Sequence, residues 1–324
     1  TNARTHDVIR AALDRSPLFT GAIKAGGPRY CPSVEDKVSR FPEKESHRIF
    51  LEPEGRDTPE VYVNGLSTSL PEDVQAAAVA SIEGLERAAI LRCGYAIEYD
   101  FCPPDQLTAA LETKVLPGLF LAGQINGTTG YEEAAAQGLV AGINAASERP
   151  VLFDRAESYI GVMVDDLVTK GVDEPYRMFT ARAENRLKLR ADNADLRLMP
   201  RAFALGLLPK TLRPAFERYR EAVESGGEAA ELGPWSMEKV RAQRETRATY
   251  ALYIAREEKE NERRRGWERV ELPPGVDYRR AGSLGTEALQ KLARVKPRTI
   301  GQAARIPGLT PADVQALWVL TRAR

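Results

Sequence analysis

The sequence is poor in the residues that build metal sites and disulfide frameworks. Its 324 residues include two histidines and three cysteines, and no two cysteines form a CxxC pair. A structural zinc site is therefore disfavoured, because such a site needs four cysteine or histidine ligands at short spacings. An odd number of unpatterned cysteines is typical of the reducing cytoplasm, which is the location we expect.

The sequence also lacks net charge, long apolar runs and a nucleotide-binding signature. Lys+Arg and Asp+Glu both number 46, so any nucleic-acid surface must be a local patch. No apolar stretch approaches the roughly 18–20 residues that span a bilayer, and no secretory signal opens the chain. The chain starts at Thr1 without an initiator methionine and contains no GxGxxG motif. These two absences lead us to expect a fragment of a longer protein.

Hydrophobic periodicity predicts an α/β arrangement in the first hundred residues. Arg48–Glu52 and Glu60–Asn64 alternate like half-buried strands. Pro71–Ala88 repeats apolar residues at helical spacing, with Ser69 as a candidate cap. Ala89–Tyr99 is predicted to be extended, because aromatic and β-branched residues suit a pleated surface. Beyond residue 150, strand signals fade and polar, helix-forming sequence dominates.

A glycine-rich segment carries the sharpest local pattern. Gly118–Ala122 is predicted as a short strand, Gly123–Gly130 as a loop and Tyr131–Ala146 as a helix, which together form half of a doubly wound α/β unit. Glycines permit positive φ and close approach of the backbone to a ligand. The free N–H groups at the helix start favour an anion or the electron-rich edge of a reduced flavin. A tight turn without a ligand fits the pattern equally well.

A cysteine stands near a second predicted helix start. Ser33 and Asp36 have the spacing of a capping box, so Cys31 lies close to a helix N-terminus. That position and the nearby basic residues favour a thiolate, which suits nucleophilic or proton-transfer chemistry. The alternative is a buried free cysteine beside a cap. Cys93 and Cys102 have no such surroundings and are interpreted as structural.

The last segment predicts two short helices around a hairpin. Thr310 caps the second helix, Pro311 is its first residue and Asp313 completes a capping box. Five basic residues, with few acidic neighbours in sequence, are candidates for phosphate contact. They are Lys291, Arg294, Lys296, Arg298 and Arg305. A bundle that merely packs on the rest of the protein remains the alternative.

Two of these motifs, GQINGTTGYEEAAAQG and GGPRYCPSVEDKVSRF, resemble those of the MnmG (GidA) family of flavin-dependent enzymes that modify the wobble uridine of tRNA. The block MFTARAENRLKLRADNADLRL also resembles a family segment, and residues 211–247 match poorly. The resemblance implies a catalytic role for Cys31. It implies FAD contacts by Gly123, Gln124, Asn126, Gly127, Thr128, Thr129, Gly130, Tyr131 and Glu132. It implies nicotinamide (NAD) contacts by Gly27, Arg29, Tyr30, Glu35, Asp36 and Lys37.

The resemblance further implies a partial FAD-binding, Rossmann-like domain of the glutathione-reductase type with an α/β insertion, followed by an all-α domain. We expect four parts: 1–103 (insertion), 104–149 (FAD-binding), 150–255 (helical) and 256–324 (tRNA and partner binding).

The implied reaction adds an aminomethyl or carboxymethylaminomethyl group to carbon 5 of the wobble uridine. The implied cofactors are FAD, NADH and methylene-tetrahydrofolate, and the implied partners are tRNA, a GTPase of the MnmE family and a second copy in a homodimer.

Two alternatives remain at this stage. One is an inactive RNA- or partner-binding fragment, because the missing GxGxxG normally holds the FAD pyrophosphate. We therefore expect weak or no FAD binding by this chain alone. The other is the related folate- and FAD-dependent tRNA uridine methyltransferase, which the long helical tail disfavours.

Overall fold

A computed structural model describes residues 1–23, 33–268, 270–273 and 275–322. Packing divides the chain into two units, Thr1–Phe101 and Cys102–Arg324. The expected four-part division remains a prediction. Among the described residues, no helix is both long and apolar enough to cross a membrane.

In its described residues, the first unit contains three α-helices and a hairpin. The elements are α1 (Ala3–Arg10), α2 (Val34–Arg40), β1 (Phe50–Pro53), β2 (Val61–Asn64) and α3 (Glu72–Ala80). β1 and β2 pair antiparallel, so the two predicted strands are confirmed within two residues of their bounds. Their predicted half-burial is wrong, because seven of the eight strand residues are exposed. The core of the unit lies between the helices and includes Ile9, Val34, Val38 and Val74.

Three local expectations for this unit need correction. Helix α3 ends at Ala80 instead of Ala88, and Gly84 follows with a φ of 85° that a helix does not contain. Its N-cap is Pro71, which has no capping side chain. Ser69 donates instead to Glu35, a partner 34 residues away that local pattern does not reveal. Residues 89–99 contain no strand, because no neighbouring strand pairs with them among the described residues.

The second unit begins with the glycine-rich segment and two packed helices, α4 (Tyr131–Ala145) and α5 (Tyr159–Lys170). The predicted helix is confirmed within one residue. The predicted strand 118–122 is not formed: this stretch makes one isolated bridge, Glu112 to Phe120. A strand needs a continuous neighbour to satisfy its N–H and C=O groups, and no described residues of this unit supply one.

The rest of the second unit is helical. Helices α6 (Ala194–Ala204), α7 (Arg213–Ser225) and α8 (Met237–Glu268) come first, followed by α9 (Thr286–Val295), α10 (Ile300–Ala304) and α11 (Pro311–Arg322). The last three helices form a bundle around a core of their own, which includes Leu292, Ile300 and Leu317. The predicted capping box is confirmed: Asp313 N donates to Thr310 Oγ1 at 3.2 Å, and Thr310 N donates to Asp313 Oδ2 at 2.8 Å.

Candidate functional site

The glycine loop has a backbone that only glycine adopts easily. Gly123 has φ 89° and ψ −145°, and Gly127 is left-handed with φ 82°. Between them, Gln124–Asn126 forms one turn of 3-10 helix. A side chain at either glycine would strain the turn, because L-residues rarely take positive φ. The loop therefore has a fixed shape that the sequence dictates locally.

Gln137 holds this loop together from the middle of α4. Its side chain is fully buried. Its Oε1 accepts hydrogen bonds from Gly123 N at 3.2 Å and from Asn126 Nδ2 at 2.8 Å. Its Nε2 donates to Thr128 Oγ1 at 2.9 Å and to the carbonyl of Glu133 at 3.1 Å. All four hydrogen-bonding positions of the amide are thus used within the protein.

Tyr176 holds the loop from the other side. Its backbone N donates to Gly127 O at 2.9 Å, and its backbone O accepts from Thr129 N at 3.3 Å. Its buried hydroxyl donates to Asp166 at 3.1 Å. Burial, followed by the charge of Asp166, raises the pKa of Tyr176, so the phenol stays protonated. The loop is consequently fixed between α4 and the segment that follows α5.

The start of α4 combines a helix N-terminus with a buried carboxylate. Its N-cap is Gly130, which has no side chain to cap the first-turn N–H groups. Glu133 is 5% exposed, and its Oε1 accepts from Met178 N at 2.8 Å. Its Oε2 lies 1.5 Å from where a Cβ on Gly130 would be, so a side chain at Gly130 would displace the Glu133 carboxylate. At this helix start and in the loop before it, two buried oxygens have no hydrogen-bond partner, Glu133 Oε2 and Asn126 Oδ1.

The nine residues predicted to contact FAD lie together on this loop and helix start. Asn126 and Thr128 are buried, and their side chains donate hydrogen bonds to nearby backbone, Asn126 to Leu121 O and Thr128 to Gly123 O. Gln124 is half-buried, and Tyr131 is 92% exposed. Sequence reasoning missed Gln137, Glu133 and Tyr176. The first two stand within the quoted motif, whereas nothing local points to Tyr176.

The predicted cysteine site is described only in part. Gly27, Arg29, Tyr30 and Cys31 lie outside the described residues. The N-cap beside them is confirmed, because Ser33 Oγ accepts from Asp36 N at 3.1 Å.

The three remaining predicted nicotinamide contacts have partners inside the first unit. Glu35 is fully buried and accepts from both Ser69 N and Ser69 Oγ at 2.8 Å. Lys37 donates to Gly65 O at 3.1 Å, and Asp36 pairs with Arg40 at 2.9 Å. The bonds of Glu35 and Lys37 connect α2 to residues 65–69, whereas the Asp36–Arg40 pair lies within α2.

The basic cluster of the last segment is less free than its sequence indicates. Lys291 donates to Glu287 at 2.6 Å, Arg294 pairs with Asp105, and Arg305 pairs with Asp165 at 2.6 Å. The prediction that few acids balance the cluster is therefore wrong for Lys291, Arg294 and Arg305. Asp105 and Asp165 lie far away in sequence, so the local pattern does not reveal them. Lys296 and Arg298 are exposed.

A glycine loop fixed in shape and leading into an uncapped helix start is the arrangement of nucleotide- and flavin-binding folds. Residues 1–150 match the sequence profile of the family described as glucose inhibited division protein A. Residues 260–324 match that of the C-terminal helical bundle of the tRNA modifying enzyme MnmG/GidA. The chain belongs to the MnmG/GidA family.

Curated relatives carry the name tRNA uridine 5-carboxymethylaminomethyl modification enzyme MnmG. The protein of Rhodopirellula baltica is 50% identical over 351 residues, covering 97% of this chain and 54% of the relative. That of Geobacter metallireducens is 48% identical over 377 residues, covering 100% and 60%. The chain thus spans little more than half the length of these relatives. Because both matches are longer than the 324 residues here, both relatives have additional residues within the matched region.

Solved structures of Aquifex aeolicus GidA resemble the chain over almost its full length. The form II crystal gives a TM-score of 0.80 at 43% identity and covers 99% of this chain and 57% of that protein. The form I crystal gives 0.79 at 46% identity, with 99% and 58% covered. The chain is therefore mostly helical with a small sheet, in a GidA-like arrangement that ends in a helical bundle.

Proposed function

We propose that this chain carries one side of an FAD site and a tRNA-binding portion of an enzyme that modifies wobble uridines. The observation behind the proposal is the start of α4. The loop 123–130 is fixed, the first-turn N–H groups have no side-chain cap, and the buried Asn126 leaves one oxygen without a partner. Buried polar atoms without partners are uncommon and point to a missing ligand or water.

The residues present fit a flavin. The N–H groups of the first turn of α4 would face its electron-rich edge, and Gln124 would contact it through its amide. FAD, when bound, would supply redox chemistry between NADH and the carbon unit to be transferred. The pyrophosphate would be held elsewhere, because this chain has no GxGxxG. This division matches a Rossmann-like domain of which the chain contributes only a part.

The implied reaction assigns the remaining roles. Cys31, two residues before the N-cap Ser33, would attack the uridine ring or transfer a proton to or from it. Methylene-tetrahydrofolate would donate the carbon, with a GTPase of the MnmE family as partner and a homodimer as the assembly. The names of the curated relatives support the modification of a uridine, and the other roles are carried by the resemblance of the motifs to the family.

For tRNA, the exposed Lys296 and Arg298 are the best candidates for phosphate contacts. Arg294 and Arg305 would contribute mainly by holding the bundle in place, because each already contacts an acid outside it. Lys291 would do so through its hydrogen bond to Pro307 O at 2.7 Å. The uridine methyltransferase alternative is disfavoured by the MnmG/GidA bundle profile at 260–324. The inactive-fragment alternative stays open to test.

A flavin titration distinguishes these alternatives. FAD would be added to this chain, to its Gly130→Ala and Gly138→Ala variants, and to the longer Rhodopirellula relative as a positive control. We expect tight binding by the relative and weak binding by the chain. Gly130→Ala should remove the weak binding, because its Cβ would displace Glu133. Gly138→Ala should leave the weak FAD binding unchanged, because nothing lies within 4 Å of a Cβ at this position.

Each other result has a definite meaning. Tight, stoichiometric FAD on this chain alone would contradict the one-sided site. Weak binding that survives Gly130→Ala would move the flavin away from α4. Binding by neither protein would overturn the FAD assignment.

A further inference from the structure

Tyr176 connects the glycine loop to helix α5 through two different parts of one residue. Its backbone N donates to Gly127 O at 2.9 Å, and its backbone O accepts from Thr129 N at 3.3 Å. Both partners belong to the loop assigned to FAD. Its side chain contacts α5 instead, because the hydroxyl donates to Asp166 Oδ2 at 3.1 Å. The position of the loop therefore depends on how firmly α5 holds this tyrosine.

The ring of Tyr176, which lies between these contacts, is itself confined. It is 3% exposed and belongs to the apolar core that α4 and α5 share. The guanidinium carbon of Arg182 lies 4.4 Å from the ring centroid, within the range of a cation–π contact. Because the enclosed ring has little room to turn, the position of its hydroxyl is transmitted to its backbone.

Asp166 is held in turn by two cations. Its side chain is 1% exposed, and its Oδ1 accepts from Arg155 Nη1 at 2.7 Å and lies 2.6 Å from Nζ of Lys170, one turn later in α5. Burial acts against the charge of the carboxylate, but the bonds from Lys170 and Arg155 outweigh it and lower the pKa of Asp166. The acceptor of the Tyr176 hydroxyl is thus a charged group with a fixed orientation.

A buried ion network is a costly way to stabilise a fold. Charged groups lose their hydration on burial, and apolar residues of similar volume often stabilise a protein equally well or better. Hydrogen bonds to charged groups are directional, however, since donor and acceptor must be aligned. Asp166 and its two cations are therefore better suited to setting one arrangement of Tyr176 than to adding stability.

We propose that Asp166 is a positioning residue for flavin binding, which acts through Tyr176 on the loop 123–130. A hydrogen bond to a charged acceptor is roughly twice as strong as one between neutral groups. Its loss should release the Tyr176 backbone from the place where Gly127 and Thr129 meet it. The inference rests on the proposed function, because it assumes that this loop contacts FAD.

A double-mutant cycle tests whether Asp166 acts through Tyr176. The proteins are the full chain, its Tyr176→Phe and Asp166→Asn variants, and the variant with both changes. Tyr219→Phe is the matched control, because Tyr219 is likewise buried but its hydroxyl has no hydrogen-bond partner in the described part of the chain. Two quantities would be measured for each protein. They are the dissociation constant for FAD, from quenching of flavin fluorescence, and the rate of amide hydrogen exchange over residues 123–130 without FAD.

The expected pattern is a shared loss that does not add. Tyr176→Phe should raise the dissociation constant for FAD roughly tenfold, the equivalent of one hydrogen bond to a charged group, and should speed exchange over 123–130. Asp166→Asn should do the same, because an amide cannot accept from both cations as a carboxylate does. In the Tyr176→Phe background, Asp166→Asn should change neither quantity further, whereas independent structural damage would add. Tyr219→Phe should behave as wild type.

A failure of Asp166→Asn to fold leaves the test decisive. Tyr176→Phe removes one hydroxyl and keeps both cations beside Asp166, so its comparison with Tyr219→Phe isolates the hydrogen bond between Tyr176 and Asp166.

Several outcomes would overturn the positioning role. They are an unchanged affinity for FAD or unchanged loop exchange in Tyr176→Phe, an equal change in Tyr219→Phe, and additive effects in the double variant. In these cases FAD binding by the wild-type chain leaves the proposed flavin site in place. If the wild-type chain binds no FAD, the flavin part of the proposed function fails, and the positioning role fails with it.

Discussion

Arg305 donates two hydrogen bonds to Asp165, from Nε at 2.6 Å and from Nη2 at 2.9 Å, although 140 residues separate them. The pair ties α10 of the C-terminal bundle to α5. Asp165 also accepts from Arg155 at 3.2 Å, and Arg155 in turn bonds Asp166 at 2.7 Å. Since Asp166 holds Tyr176, which fixes the glycine loop, one polar network connects the bundle with the candidate site.

Arg305→Ala should destabilise the second unit rather than only weaken RNA binding. It leaves Asp165 with Arg155 as its remaining partner, so we expect a loss of about 1–3 kcal/mol, below that for a fully buried pair. Urea denaturation measures this loss. Arg298→Ala is the control, because that exposed side chain should change stability by less than about 0.5 kcal/mol. Equal stability of the two variants would show that the ion pair does not hold the bundle.

Gln137→Leu should disorder the glycine loop. The substitution keeps the volume approximately but removes the partner of Gly123 N and one of the hydrogen bonds of Asn126 Nδ2 and of Thr128 Oγ1, which keep Leu121 O and Gly123 O. Each buried group left unsatisfied costs about 1–3 kcal/mol, so the total loss should reach about 2–4 kcal/mol after relaxation. Urea denaturation and amide hydrogen exchange over 123–130 report both effects. The exposed Gln315→Leu serves as the control, and unchanged exchange in Gln137→Leu contradicts the prediction.

Gly161→Ala should be among the most damaging alanine substitutions in α5. A Cβ there would lie 2.2 Å from the carbonyl oxygen of Asp154, which is backbone and cannot rotate away. We expect a loss above about 3 kcal/mol, or failure to fold, from overpacking. Gly142→Ala in α4 meets nothing within 4 Å and should gain up to about 1 kcal/mol from helix propensity. A thermal denaturation series of the two variants checks the difference in sign.

The first unit should lose stability in mild acid. Burial, then the charge of His47, lowers the pKa of His6, and burial, then Lys37, lowers the pKa of His47, both from 6.5. Below pH 6.5 the unfolded chain takes up protons that the folded rings resist, so the free energy of unfolding falls as the pH falls. Comparing urea midpoints at about pH 7.5 and 5.5 tests this. His47→Phe should reduce the pH dependence of the urea midpoint. An unchanged pH dependence would show that other groups cause it.

Local chemistry made several elements predictable. The helix Tyr131–Ala145, the Thr310–Asp313 capping box and the hairpin of β1 and β2 all depend on residues a few positions apart, and each was found within two residues of expectation. The expected strand 118–122 failed for the opposite reason, because a strand exists only when another segment pairs with it.

The candidate site shows the same division. The glycines and the motif around Gln124 marked the loop, since positive φ and a helix start are written into adjacent residues. Tyr176 could not be found, because its role depends on its carbonyl and N–H meeting the loop from nearly 50 residues away. The basic cluster looked unbalanced for a related reason, since the acids that meet Arg294 and Arg305 come from distant segments.

The sequence by itself therefore determined the glycine turn, the caps at Ser33 and Thr310, the helix that begins at Tyr131 and the family. Only the tertiary structure decided which charged groups of the bundle are paired and which buried amide holds the glycine loop. The physical reason is the separation along the chain over which each interaction acts. Backbone preferences and capping act over three or four residues. Burial, ion pairing and strand pairing depend on segments that only the folded chain brings together.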